Sequence, residues 1–153
     1  MRKLRVERTR HLGAARLVEE REGQALVEFA MVLPMLLLLV LGLFEFARAW
    51  NVQQVMTDAA REAARRGVVA TTPAPDSASV ISTVNDVLRR AALDPSKSTI
   101  EVSTQGGFPG GRGTPMTVAI SYPYEFVYVG RLLEWATGQS QITLRTSAVM
   151  RKE

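Results

Sequence analysis

Gly23 and Glu28, with Phe29 directly after it, are the residues whose types and spacing could do chemistry. They lie at the start of an apolar run, where an ordinary membrane anchor has no physical need for this arrangement. A carboxylate at the centre of a bilayer span costs about 2.5–3.5 kcal/mol, and less near the interface, so its presence there needs a reason. The arrangement therefore suggests a processing site combined with a device for assembly.

The apolar run comprises residues 25–44, and Glu28 is its only ionisable member. At about 1.5 Å per residue, a helix of this length spans roughly the 30 Å hydrocarbon core of a bilayer. Residues 1–23 contain seven Lys or Arg and four Glu. Because basic flanks stay in the cytoplasm, we expect a single-pass protein of the cytoplasmic membrane with its C-terminal domain outside.

The formal net charge of +4 is concentrated in this N-terminal flank, which leaves the exported part nearly neutral. Such a distribution argues against a nucleic-acid partner, for which a basic stripe on the folded domain is expected. The chain has no cysteine, and His11 is its only histidine. The exported part therefore lacks the residues of a histidine triad, a histidine metal site or a cysteine nucleophile, and we predict neither an enzyme nor a metal or cofactor site.

Helical periodicity continues beyond the apolar run. Seven residues share one arc at 100° per residue: Val52, Val55, Met56, Ala59, Ala60, Ala63 and Gly67. The pattern predicts an amphipathic stem that extends the membrane helix and ends with Gly67 as the residue after the helix. The opposite face contains Asp58, Arg61, Glu62 and Arg65, whose spacing is typical of a solvated helix surface.

Beyond the stem, the periodicity changes from helix to strand. Prolines in residues 68–78 predict a linker, and a second helix is expected from Ser77 or Ser79 to a point before Asp94. Strands are predicted near residues 99–103, 116–121 and 141–150, with a flexible loop at 105–115 and a candidate short helix at 131–137. The aromatic segment 122–128 fits either a contact ridge or a strand that covers a core or an edge.

These elements predict an α+β fold: a long N-terminal transmembrane helix continuing as an amphipathic stem, a second short helix, and an antiparallel sheet of about three strands. The organisation expected is a cytoplasmic basic leader (1–23), a transmembrane helix and stem (24–67), a linker (68–78) and a small extracytoplasmic domain (79–153).

Three stretches carry a family resemblance: the segment from Arg21 to Ala30, Val32-Leu-Pro34, and the run from Asp58 to Arg65. They resemble the TadE-like family, the minor pilins or pseudopilins of the tight-adherence branch of type IV pilus systems. The resemblance covers residues 20–67 well and the later part only in outline.

The resemblance implies that a prepilin peptidase removes the leader after Gly23 and leaves Gln24 as the new N-terminus. Glycine suits the cleavage site because it neither blocks a protease nor favours helix. Glu28, followed by Phe29, would then pair with the freed amino group of a neighbouring subunit and set the register between helices. The alternatives are that Gly23 breaks a cytoplasmic helix and that Glu28 snorkels to the interface.

Pro34 lies inside the apolar run, where its missing N–H and its ring predict a bend or local loosening. Pilins could use such softness when a subunit leaves the membrane, although transmembrane prolines are common.

The function implied is that of a processed minor pilin in the assembly of a tight-adherence pilus or a related secretion machine. Its partners would be the prepilin peptidase, other pilins and pilus assembly proteins, and membrane lipid, in a hetero-oligomeric assembly that can reach an extracellular pilus. Two alternatives stay open. One is an unprocessed single-pass protein with a partner-binding outer domain. The other is a secreted domain, because Ala47-Arg-Ala49 mimics a signal-peptidase site.

Overall fold

The computed structural model describes residues 4–69, 74–108 and 110–152, with side chains from residue 23 onward. The chain divides into two compact units, Met1–Leu43 and Phe44–Glu153. Most of the leader predicted for 1–23, and residues 70–73 of the linker predicted for 68–78, therefore lie outside the part whose side chains are described.

Helix α1 (Leu4–Val68) supplies the candidate membrane span. Its most apolar 18-residue window has a mean hydropathy of 2.5, and no part of this window is buried. By length and composition, it is the one helix among the described residues that could cross a membrane. Most of the large apolar side chains from Leu26 to Phe44 are correspondingly exposed, as expected for a surface that lipid would cover.

The outer unit combines the last part of α1 with two helices and a sheet. Its further elements are α2 (Ser77–Arg90), a 3-10 turn (Pro95–Lys97), β1 (Thr99–Thr104), β2 (Pro115–Glu125), α3 (Gly130–Thr137) and β3 (Gln141–Arg151). The three strands form one antiparallel sheet in the order β1-β2-β3. The predicted α+β fold, with a long N-terminal apolar helix, is confirmed.

Small residues of α1 face the sheet and α2 across the core. Ala59, Ala60 and Ala63 are fully buried in a cluster that includes Leu88 of α2 and Ile120 of β2. Because alanine adds little bulk, the helix backbone can approach its neighbours closely. Six of the seven residues predicted to face the core are buried, and the seventh, Val55, is partly buried against it.

Gly67 does not end α1, contrary to the prediction that it follows the helix. The helix continues to Val68, and Gly67 is not among the glycines with positive φ. A Cβ at Gly67 would collide with the side chain of Met116. Gly67 therefore lies in close contact with Met116 of β2, and its backbone is not in the left-handed conformation of a helix cap.

Helix α2 begins at Ser77, where the Asp76 side chain accepts a hydrogen bond from the Ser79 N–H at 2.8 Å. This contact satisfies one of the free N–H groups at the helix start. The helix ends at Arg90, before Asp94 as the sequence predicts.

Strand β2 extends further than the periodicity indicated, to Glu125, and so includes the first part of the aromatic segment that fitted two interpretations. Tyr122 and Tyr124 are buried, so this part of the segment covers the core, whereas Tyr128 is exposed. Pairing of β2 with β1 ends at Ser121, so within the described sheet Pro123 is paired with β3 alone. A proline is tolerated there because no second ladder needs its N–H.

Candidate functional site

The residues predicted for processing and assembly lie on α1, in the first unit. Gly23 is exposed, and a Cβ at this position would meet no atom within 4 Å. Helix α1 continues on both sides of Gly23. The alternative in which Gly23 breaks the helix is therefore wrong. The described neighbours of Gly23 leave it sterically open.

Gln24 and Glu28 are brought together one helical turn apart. The Gln24 Nε2 donates a hydrogen bond to the Glu28 Oε1 at 2.9 Å, and the contact is exposed. This geometry follows from i,i+4 spacing, which places two side chains on the same helix face. Gln24, the predicted new N-terminus, is therefore already in side-chain contact with Glu28, the predicted assembly residue.

Phe29 and Pro34 complete the predicted set. Phe29 projects from α1 with 59% of its surface exposed, available to lipid or to another helix. Pro34 lies inside α1, where its missing N–H leaves the carbonyl of Ala30 without its usual helical donor. The predicted bend at Pro34 stays a prediction.

A second cluster, which the sequence analysis did not identify, surrounds Glu45, the first residue after the apolar run. Glu45 is only 2% exposed. Its Oε1 accepts hydrogen bonds from the Tyr124 hydroxyl at 2.6 Å and from Arg48 at 3.1 Å. Its Oε2 accepts from the backbone N–H groups of Val127 at 3.1 Å and Tyr128 at 2.8 Å. Both carboxylate oxygens are thus fully engaged, and we call these five residues the Glu45 clasp.

The electrostatics of the Glu45 clasp follow from its donors. Burial raises the pKa of Glu45, but hydrogen bonds from Tyr124, Tyr128 and Val127, together with the charge of Arg48, outweigh this and lower it below its ordinary value. Burial and the neighbouring carboxylate raise the pKa of Tyr124 to about 12. Four donors therefore keep Glu45 ionised while it is buried.

Arg48 also lies against the aromatic rings of the Glu45 clasp. Its guanidinium is 5.8 Å from the centroid of the Tyr124 ring and 5.9 Å from that of Tyr128, within the range of cation–π attraction. The clasp joins the first outward turn of α1 to the connection between β2 and β3. It therefore ties these two parts of the outer unit together.

The sequence contained a weak signal for this cluster. Glu45 follows the apolar run directly and Arg48 follows three residues later, a spacing typical of helical ion pairs. Nothing local, however, identified Tyr124 as the partner, because 79 residues separate it from Glu45.

One protein family matches a part of α1. The matched part contains the residues predicted for processing and assembly, and also Glu45 and Arg48. Residues 23–65 match the family model described as TadE-like protein. This segment is similar to TadE-like proteins. The match confirms the resemblance predicted from the motifs, and it begins at Gly23. No curated protein and no solved structure matches the chain.

A TadE-like domain indicates a protein related to Tad pili. The one apolar N-terminal helix, which could span a membrane, is consistent with a membrane-anchored protein of this kind.

Proposed function

We propose that the chain is a minor pilin or pseudopilin whose leader is removed by a prepilin peptidase after Gly23. The observation that carries the proposal is that the TadE-like match begins at Gly23, directly before the candidate span. The exposed, unobstructed position of Gly23 supports it, since a protease must reach this backbone and draw it into an extended form.

Assembly then depends on Glu28. Cleavage creates an α-amino group on Gln24, and the Glu28 carboxylate of a neighbouring subunit neutralises it within the membrane. The pair offsets the desolvation of both charges and sets the axial register between helices. The exposed contact of the Gln24 side chain with Glu28 supports this role, because it shows that the carboxylate is accessible from the helix surface.

In this proposal, the protein is a structural subunit and has no enzymatic activity. It resides in the cytoplasmic membrane with its N-terminus in the cytoplasm and its outer domain beyond the membrane, and after processing it can enter an extracellular pilus. Its partners are the peptidase, other pilins and pilus assembly proteins in a hetero-oligomeric assembly, and membrane lipid.

The deciding experiment determines the N-terminus of the protein from cells that contain the matching peptidase. Gln24 is the expected first residue. Met1 would favour the unprocessed single-pass protein, and Trp50 would favour a secreted domain. Against the last outcome, cleavage after Ala49 would remove Glu45 and Arg48 from the Glu45 clasp, and Ala49 itself packs against the core.

A further inference from the structure

Six exposed apolar or aromatic side chains occur near the end of the outer unit at which the apolar run stops. They are Phe46, Trp50, Val127, Tyr128, Leu132 and Trp135, and their exposed fractions range from 45% to 86%. We call this set the aromatic rim. These side chains are not part of the hydrophobic core of the outer unit. The Glu45 clasp shares only Val127 and Tyr128 with the rim, and it uses their backbone N–H groups and the Tyr128 ring.

The course of β2 places the rim at one level of the molecule. At one end of this strand, Tyr124 bonds to Glu45, and at the other end Met116 lies against Gly67. Strand β2 therefore runs antiparallel to the outer part of α1. Its connection to β3, which includes α3 and is closed by a hydrogen bond from the Phe126 N–H to the Ser140 carbonyl at 3.2 Å, lies beside Glu45.

The rim residues on α1 lie at the same level but on another side of the helix. At 100° per residue, Phe46 and Trp50 lie about 100° and 140° around the axis from Glu45, and Trp50 is about 8 Å further along it. Their rings stack with centroids 6.2 Å apart. Glu45, by contrast, faces the backbone of Val127 and Tyr128.

The position of the rim residues on more than one side of α1, at one level, indicates what covers them. A single protein partner covers one side of a helix, whereas a bilayer surrounds it at a given depth. Tryptophan and tyrosine are enriched at membrane interfaces because their rings are apolar and their N–H or O–H groups remain hydrated. Glu45 follows the last residue of the candidate span, so chain connectivity alone puts this level near the lipid surface.

We propose that the aromatic rim sits in the interfacial layer of the membrane, so that the outer domain rests on the bilayer through α3 and the 127–128 turn. The contact requires the anchoring of the chain in a membrane but not its processing.

Trp50 and Trp135 are the two tryptophans of the chain, and each reports on one side of the rim. The full chain is reconstituted into phosphatidylcholine–phosphatidylglycerol vesicles as two single-tryptophan variants, Trp50→Phe and Trp135→Phe. Lipids brominated near the glycerol end of the acyl chains are expected to remove most of the emission of both remaining tryptophans. Lipids brominated near the chain end should quench them much less.

Two matched variants in the Trp50→Phe/Trp135→Phe background give the depth scale. Val149→Trp places the probe at an exposed position that pairs with Thr117, at the far end of β2, and iodide rather than lipid should quench it. Leu39→Trp places the probe in the candidate span, where the deep bromines should quench it most.

A quenched Leu39→Trp probe combined with an iodide-accessible Trp135 would overturn the rim proposal and leave the anchor intact. A blue-shifted Trp135 that no brominated lipid quenches would mean that protein covers it, and would also overturn the proposal. An unquenched Leu39→Trp probe would overturn both the membrane anchor and the rim.

Discussion

Glu45 joins α1 to the connection between β2 and β3 through buried hydrogen bonds. It is buried, and four donors from Arg48, Tyr124 and the 127–128 backbone converge on it. Replacing it would leave these donors without their acceptor, and unsatisfied buried donors cost more than the hydrogen bonds themselves contribute.

Glu45→Gln is expected to lower the free energy of unfolding of the outer domain by roughly 2 kcal/mol, because the carboxamide removes the charge and directs an N–H₂ at donors. Tyr124→Phe should cost about 1 kcal/mol, and the two changes should be non-additive because the groups touch. Limited proteolysis of the full chain in detergent across a denaturant series measures both. The exposed stem variant Glu62→Gln is the control, and strictly additive costs would contradict the geometry.

Gly23→Ile is expected to abolish removal of the leader, since a β-branched side chain restricts the backbone and obstructs the protease. Gly42→Ile is the matched control, because Gly42 also lies on α1 with no atom within 4 Å of a Cβ. Accumulation of the full-length chain is followed by gel mobility and N-terminal sequencing. Normal cleavage of Gly23→Ile would rule out this cleavage site.

Glu28→Leu is expected to be cleaved normally yet to be recruited poorly into assemblies, because the new amino group of Gln24 then has no carboxylate to neutralise it. Quantifying the variant in purified pili and in membranes separates the two steps. Glu28→Asp, which keeps the charge, should retain more assembly than Glu28→Leu. Normal incorporation of Glu28→Leu into pili would rule out the proposed pairing of Glu28 with the amino group of Gln24.

At the scale of elements, the fold depends on how closely the stem approaches the sheet. Ala60 is fully buried among the residues of α1, α2 and β2, so Ala60→Leu should destabilise the outer domain by about 1–3 kcal/mol through overpacking. Ala47→Leu, on the exposed side of the same helix, should have little effect. Protection of the β2 amides from hydrogen exchange measures the difference, and equal protection in both variants would refute close packing at Ala60.

At the scale of the whole molecule, Tyr124 of the Glu45 clasp makes the free energy of unfolding of the outer domain depend on pH in the alkaline range. The pKa of Tyr124, about 12 in the folded chain, lies above its ordinary value of 10.0, so the folded state holds the phenol proton more tightly. This stabilisation is complete below pH ~10 and is lost as the pH rises through about 12.

The stability advantage of the natural chain over Tyr124→Phe should therefore shrink between these two pH values, while other titrating groups affect both proteins alike. Thermal unfolding of the outer domain at a series of alkaline pH values measures this difference. Parallel profiles for the two proteins would show that Tyr124 does not contribute in this way.

The sequence by itself determined the elements whose signals are local. The apolar run, the buried arc of the stem, the second helix and the three strands follow from periodicities of 3.6 and 2, which depend only on backbone geometry. The spacing of Gly23, Gln24 and Glu28 likewise needed no tertiary information, because i,i+4 residues share a helix face.

Only the tertiary structure decided the features that depend on distant neighbours. Pro123 is acceptable in β2 because pairing with β1 stops at Ser121, and the contact of Gly67 with Met116 joins residues of α1 and β2 that are distant in sequence. Glu45 is a buried acceptor because Tyr124, 79 residues away, reaches it. In each case, the residue type is compatible with several environments. Which environment is stable depends on the neighbouring residue that packs against it or bonds to it, because burial is favourable only when that neighbour is present.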